Sequence, residues 1–170
     1  IYNIPHLLKA LALVKDKIPN FELILIGAGS LREELIELTK QLKIENNCSF
    51  LGKLSQPEIA NKLNMSHVFV SVSLSDGNNI SLNEAMACGT FCIASAIPAN
   101  EQWIQNSENG FLVEIDDVED LAQKIIYSWE NYHELQAKSL PLNRKMIQEK
   151  AIWETNMQRV EAKYKELVGK

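Results

Sequence analysis

Cysteine is scarce in this chain: Cys48, Cys88 and Cys92 are the only three among 170 residues. Their number is odd, their spacing is not that of metal ligands, and each sits in or beside an apolar run. That pattern excludes a disulfide framework and points to packed, reduced thiols. Histidine is as rare, and His6, His67 and His133 share no spacing that would build a metal cluster or a base–nucleophile pair. They read as surface or structural side chains. Basic charge is not in excess either: the net charge is −5, against the clustered Lys and Arg that a nucleic-acid backbone requires. No apolar run reaches the length of a membrane span, and a signal peptide is not expected. Asp116-Asp117 lacks the D-x-D spacing of a metal-holding pair, and its place before Val118 suits helix capping.

What is present is a strong apolar content, 46%, enough for one domain with a real core. Ile4, Leu7, Leu8, Leu11 and Val14 keep helical spacing, with Pro5 in the first turn and Pro19-Asn20 as a stop. Short apolar runs at Phe21–Ile26, Ser49–Leu51, Val68–Val72, Phe91–Ala94 and Phe111–Val113 read as strands. Between them lie helical stripes, among them Leu31, Leu35, Leu38, Leu42, and Val118, Leu121, Ile125, Trp129. Capping-box patterns stand at Ser30/Glu33, Ser55/Glu58 and Ser81/Glu84. Strands alternating with helices predict an α/β fold, a Rossmann-like, mostly parallel sheet with helices on both faces. The first helix has no strand ahead of it, so the sheet is expected to lack its first strand. Beyond Glu130 the chain turns wholly helical, and Trp153, Met157, Val160, Tyr164 and Leu167 form a stripe that needs a partner. The expected division is a Rossmann-like domain over 1–130 and a helical extension over 131–170. The chain opens at Ile1 inside a helical pattern, so a piece of a longer protein is expected.

The most informative stretch is Ser75–Gly89. Asp76 and Glu84 stand with seven residues between them, across a glycine-containing loop that follows a strand and enters a helix. In open α/β sheets this is where ligands bind. Amides at a helix N-terminus are unpaired and favour an anion, so a phosphate fits there, while the two carboxylates suit a polyol. Alone, Asp76-Gly77 is ordinary turn chemistry and Glu84 an ordinary capping residue. Gly27-Ala28-Gly29 suggests a dinucleotide fingerprint, but Arg32 occupies the third glycine position and the fingerprint fails. A tight turn is the plainer reading there, as packing is for Trp103.

The same stretch resembles the acidic E-x7-E segment of retaining GT-B glycosyltransferases of the family 4 kind, with Phe91-Cys92-Ile93 in place of the usual P-V-I. Ile26–Leu35 is similar to that family's G-x-G-x-L segment, Phe50–Ser55 to its F-x-G loop, and Glu108–Val113 to its N-G-x-L segment. These ordered motifs cover nearly the whole chain, and together they imply the C-terminal, donor-binding half of a GT-B fold with C-terminal helices. By that resemblance, Asp76 contacts the transferred sugar with a side chain one methylene shorter than usual, and Glu84 contacts the donor's ribose. Gly77, Asn78, Asn79, Ile80 and Ser81 serve the diphosphate or sugar. Gly52, Lys53 and Leu54 serve the base, and Gly27 the phosphate turn. Tyr2 stands where a lysine is common.

The implied function is transfer of a sugar from a nucleoside-diphosphate sugar to a hydroxyl on a glycan or lipid. No metal or other cofactor is expected. The acceptor and any membrane contact would come through an N-terminal domain that this chain lacks, and the fragment would bind donor without turnover. The expected location is cytoplasmic. A nucleotide-sugar epimerase and a non-catalytic nucleotide-binding module are the alternatives.

Overall fold

The computed structural model describes residues 2–169. Helix α1 (Ile4–Val14) opens with Pro5 in its first turn and buries Leu7, Leu8, Leu11 and Val14. Then follow β1 (Leu23–Ile26), α2 (Arg32–Gln41), a 3-10 turn over Glu45–Asn47, β2 (Cys48–Gly52), α3 (Gln56–Met65) and β3 (Val68–Ser71). Next come α4 (Ile80–Cys88), β4 (Phe91–Ser95), a short α5 (Pro98–Glu101), β5 (Phe111–Val113) and α6 (Val118–Glu130). Two long helices, α7 (Tyr132–Lys150) and α8 (Trp153–Val168), end the chain.

All strand pairs are parallel, but the five strands form two ladders instead of one sheet: β1–β2 and β3–β4–β5. β4 has both neighbours, and its side chains alternate between two cores, as strand geometry requires. Phe91 and Ile93 join Leu8, Val113 and Leu121 on the α1/α6 side. Cys92 and Ala94 join Leu82, Met86 and Trp103 on the α3/α4 side. Phe91 and Phe111 meet edge to face at 5.1 Å. Both faces of this ladder are therefore covered, as the α/β pattern predicts.

Several boundaries follow from single residues. Gly89 closes α4 in the left-handed region at φ +83, and a Cβ there would come within 2.5 Å of Leu140 Cδ1 on α7. Asp117 caps α6, its Oδ1 accepting from the Asp120 amide at 2.8 Å. At α3 the expected Ser55/Glu58 tie is present: the Glu58 carboxylate accepts from the Ser55 amide at 2.8 Å and its hydroxyl at 2.5 Å. Two expected caps are corrected. α2 starts at Arg32 without a side-chain cap, and Glu33 pairs with Arg32 instead of closing on Ser30. α4 starts one residue before Ser81, and its cap is Asn79.

Helix α7 is tied to the β3–β5 ladder by a buried amide pair. Asn109 Nδ2 donates to Asn143 Oδ1 at 2.8 Å and Asn143 Nδ2 to the Asn109 carbonyl at 3.1 Å. α8 has no buried residue, and Trp153, Val160, Tyr164 and Leu167 of its stripe are exposed. His67 packs edge-on to Trp129 and Tyr132, each at 4.7 Å, and His133 lies in the first turn of α7. Among the described residues, no helix is long and apolar enough to cross a membrane.

Candidate functional site

The loops after β1 and β3 meet at a cavity of about 1420 Å³. Of the residues singled out from the sequence, Gly27, Lys53, Leu54, Asp76, Asn78, Asn79, Ile80 and Ser81 line it; Gly52, Gly77 and Glu84 do not. Gly52 sits at φ +70 and its carbonyl accepts from the Gly27 amide at 2.7 Å, so the two glycine turns are joined across the β1–β2 ladder. Arg32, which breaks the dinucleotide fingerprint, also lines the cavity, with its guanidinium 5.9 Å from the centre of the Phe50 ring.

The loop between β3 and α4 is exposed at Leu74–Asn78 and anchored at Asn79, which is 5% exposed. Asn79 Nδ2 donates to Ser71 Oγ at 2.8 Å and to Asn100 Oδ1 at 2.9 Å, while Asn79 Oδ1 accepts from the Leu82 amide at 3.1 Å. Every polar atom of this buried amide is thereby used, as burial demands. Asn100, fully buried, donates in turn to the Ser95 carbonyl at 2.9 Å, and the Ser95 hydroxyl donates to the Ser73 carbonyl at 2.6 Å. The indole N–H of Trp103 donates to Asn78 Oδ1 at 3.0 Å. Residues of the β4–α5 segment thus fix the loop's conformation. Sequence reading preferred packing to ligand stacking for Trp103 and did not single out Asn100. Neither has a local signal, because their partners lie 25 and 21 residues away.

Asp76 is exposed, and its Oδ1 accepts from the Asn78 amide at 3.1 Å, a local turn bond. Its second oxygen takes no part in that bond. Glu84 is half-buried on α4 and, among the described residues, has no hydrogen-bond or ion-pair partner; the Ser81 capping bond is not formed. Asn79 and the Asn78 carbonyl take the Leu82, Asn83 and Ile80 amides. The Ser81 amide, in the first turn, has no backbone acceptor, and Ser81 lines the cavity. This arrangement can donate hydrogen bonds to an anion and accept them from hydroxyls.

The three cysteines are free thiols. Burial, with the Glu45 carboxylate adding to it, pushes the Cys48 thiol up to about 11. Burial pushes Cys92 up further, and burial and then Glu84 raise Cys88. Among the described residues, no group of three or more His, Cys, Asp or Glu gathers as a metal site. Asp117 is used as a helix cap and Asp116 accepts from Asn3 Nδ2 at 3.2 Å.

The family described as Glycosyl transferases group 1 matches residues 2–150. The chain belongs to this family. It is 34% identical over 105 residues to the N-acetyl-alpha-D-glucosaminyl L-malate synthase of Bacillus anthracis, covering 62% of this chain and 27% of that relative. A glycosyltransferase from Rickettsia africae superposes with a TM-score of 0.86 at 27% identity, covering 96% of this chain and 44% of that one. A TarM variant of S. aureus, solved with UDP and alpha-GlcNAc-glycerol among its ligands, matches with a TM-score of 0.86 at 24% identity, over 95% of this chain and 32% of TarM. The expected Rossmann-like GT-B fold is borne out. The chain spans less than half the length of each of these proteins.

Proposed function

We propose that this chain is the donor-binding half of a retaining glycosyltransferase, which moves a sugar from a nucleoside-diphosphate sugar to a hydroxyl acceptor. The observation that carries this reading is the loop Asp76–Ser81, held by Asn79, Asn100 and Trp103 at the cavity where α4 begins. As the glycosidic C–O bond loosens, negative charge collects on the leaving diphosphate, and fixed donors stabilise it without reorganising. The Ser81 amide and the α4 dipole are such donors, and Arg32, Lys53 and Lys62 are cations on the cavity wall. Asp76 receives the sugar hydroxyls through its free oxygen. Glu84, without a structural partner, receives the ribose. Gly52–Leu54 lie against the base.

UDP in the TarM complex supports a nucleotide donor. The malate synthase's name and that of a phosphatidyl-myo-inositol mannosyltransferase, 30% identical over 124 residues, support a hydroxyl acceptor of no single class. A second domain would bring that acceptor, so the 170-residue chain binds donor without transferring sugar. The free thiols agree with a cytoplasmic setting. Binding requires no divalent metal in this reading, since neither Asp116 nor Asp117 is free to act as a metal pair.

Chemical-shift mapping with UDP, GDP and ADP tests the reading. Perturbation is expected at Gly27, Gly52–Leu54 and Asp76–Glu84, unchanged in chelator. Shifts confined to α7 and α8 would overturn the site, and loss of binding in chelator would overturn the metal-free reading.

A further inference from the structure

Asn78 meets the cavity with most of its polar groups already engaged. Its backbone N–H donates to Asp76 Oδ1 at 3.1 Å, its carbonyl accepts from the Ile80 amide at 2.9 Å, and its side-chain Oδ1 accepts from the Trp103 indole at 3.0 Å. The residue is exposed and lines the cavity together with Asp76. Its backbone is therefore not what a ligand would meet. What remains is the side-chain NH2, which bonds to no group among the described residues.

Trp103 fixes which way that amide points. An indole N–H can only donate, so the side-chain atom facing it must be the carbonyl oxygen, and the NH2 is turned away from the ring. The anchor itself is held: Trp103 is 6% exposed, packs in the cluster with Leu82, Met86 and Ile104, and its carbonyl accepts from Asn109 Nδ2 at 2.9 Å. Asn109 is bonded in turn to Asn143 of α7. The donor at the cavity is thus oriented from the buried side of the molecule.

Asp76 supplies the complement. One of its oxygens takes the Asn78 amide, and the other takes no part in that bond. A carboxylate that only accepts and an NH2 that only donates therefore emerge from a single turn. A hydroxyl can satisfy both, giving its proton to the carboxylate and a lone pair to the NH2. A diphosphate has no proton to give and is repelled by the carboxylate, so the pair suits the sugar and not the nucleotide.

We propose that the Asn78 side chain sets specificity for the transferred sugar: its Nδ2, oriented by Trp103, donates to a sugar hydroxyl whose proton is received by Asp76. The inference rests on the donor-site reading above and adds the class of sugar. A neutral sugar with a free hydroxyl at that edge is accepted, whereas one deoxygenated or carrying a carboxylate there is disfavoured.

Titration calorimetry on the 170-residue chain tests it with UDP, UDP-glucose, UDP-galactose, UDP-N-acetylglucosamine, GDP and GDP-mannose, in the wild type, Asn78→Asp and Asn78→Ala. Asn78→Asp keeps an acceptor for Trp103 but replaces the NH2 by an oxygen, and Asn78→Ala removes both. The quantity read is the affinity for each nucleotide sugar relative to its bare nucleotide, which cancels any general effect on the diphosphate. For at least one sugar, both variants should lower that ratio by roughly threefold to tenfold, the worth of one hydrogen bond. In the wild type, the Asn78 side-chain NH2 resonances should shift with that sugar beyond their positions with the bare nucleotide. A loss confined to Asn78→Ala assigns the effect to the missing Trp103 bond, and a loss confined to Asn78→Asp assigns it to charge repulsion; either overturns the proposal. Nucleotide binding with a ratio that neither variant changes overturns it too and leaves the donor site standing. Absence of binding by all six compounds overturns the donor-site reading itself and this inference with it.

Discussion

β4 and β1 are both apolar runs, Phe91–Ser95 and Leu23–Ile26, but all five residues of β4 are buried and none of β1 is. Hydrophobicity does not separate them; neighbours do. β4 has a strand on each edge and a helical layer on each face, so its alternate residues feed two cores. β1 has one edge partner. The same contrast runs through the site: the Asp76–Ser81 loop rests on the closed half through Asn79, Asn100 and Trp103, while Gly27, Lys53 and Leu54 stand on the open half. The closed half should therefore carry both stability and affinity.

The largest effect separates the two halves directly. Ile93→Ala in β4 should lower unfolding free energy by about 3–4 kcal/mol, because the surrounding core cannot collapse onto the lost atoms. Ile24→Ala in β1 should cost about 1–2 kcal/mol, since its side chain is only half-buried. Urea denaturation of both variants measures the difference. Equal costs would break the comparison and mean that β1 is covered in solution.

Ligand binding sharpens the contrast next. Glu84→Gln should weaken UDP and UDP-sugar alike, whereas Asp76→Asn should weaken only the nucleotide sugar. Each loss of a charged hydrogen bond is worth about 1.5–3 kcal/mol, roughly tenfold to a hundredfold in affinity. Lys53→Met on the open half should cost less than tenfold, because an exposed cation is screened by solvent. Titration calorimetry ranks the three. A Lys53 variant that loses more than the Glu84 variant would move the anion site to the open half.

The elements were largely legible in the sequence, because their signals are local. Pro5 opens α1, Gly89 closes α4 and Asp117 caps α6, each acting within a turn of its own position. The misplaced cap at α4 shows where legibility stops. Asn79 and Ser81 are both good capping residues, and Ser81 has a glutamate at the right spacing. What selects Asn79 is its second set of bonds, to Ser71 and Asn100, one of them 21 residues distant. The family motif pointed to the loop, but nothing in it names Asn100 or Trp103 as the supports. Strand pairing failed to be legible for the same reason: β1 and β3 are plain in sequence, and their lack of a shared ladder is a non-local fact.

Those supports give the third prediction. Asn100→Ala leaves Asn79 Nδ2 with one partner fewer in a buried setting and should cost about 1–3 kcal/mol of stability. Trp103→Phe keeps the ring's packing on Leu82 and Met86's cluster but removes the bond to Asn78, at about 1 kcal/mol. If that bond positions the loop, Trp103→Phe should weaken nucleotide binding more than it lowers the melting temperature would account for. Equal binding to wild type would leave Trp103 a packing residue only.

The smallest effect belongs to α3, which lies between β2 and β3 in the chain. The Ser55 hydroxyl and amide both donate to the Glu58 carboxylate, and these bonds hold its pKa below the usual carboxylate value. A carboxyl whose folded pKa is depressed stabilises the fold above its unfolded pKa. That contribution fades as pH falls through the folded one. Glu58 is fully exposed, so solvent screens the interaction and the effect on melting is slight. Glu58→Gln should therefore melt slightly below wild type at neutral pH, and the two curves should converge as the solution is acidified past the carboxylate range. A gap that persists in acid would show that the substitution acts through something other than the charge at the cap, such as lost packing of the Glu58 stem against the start of α3.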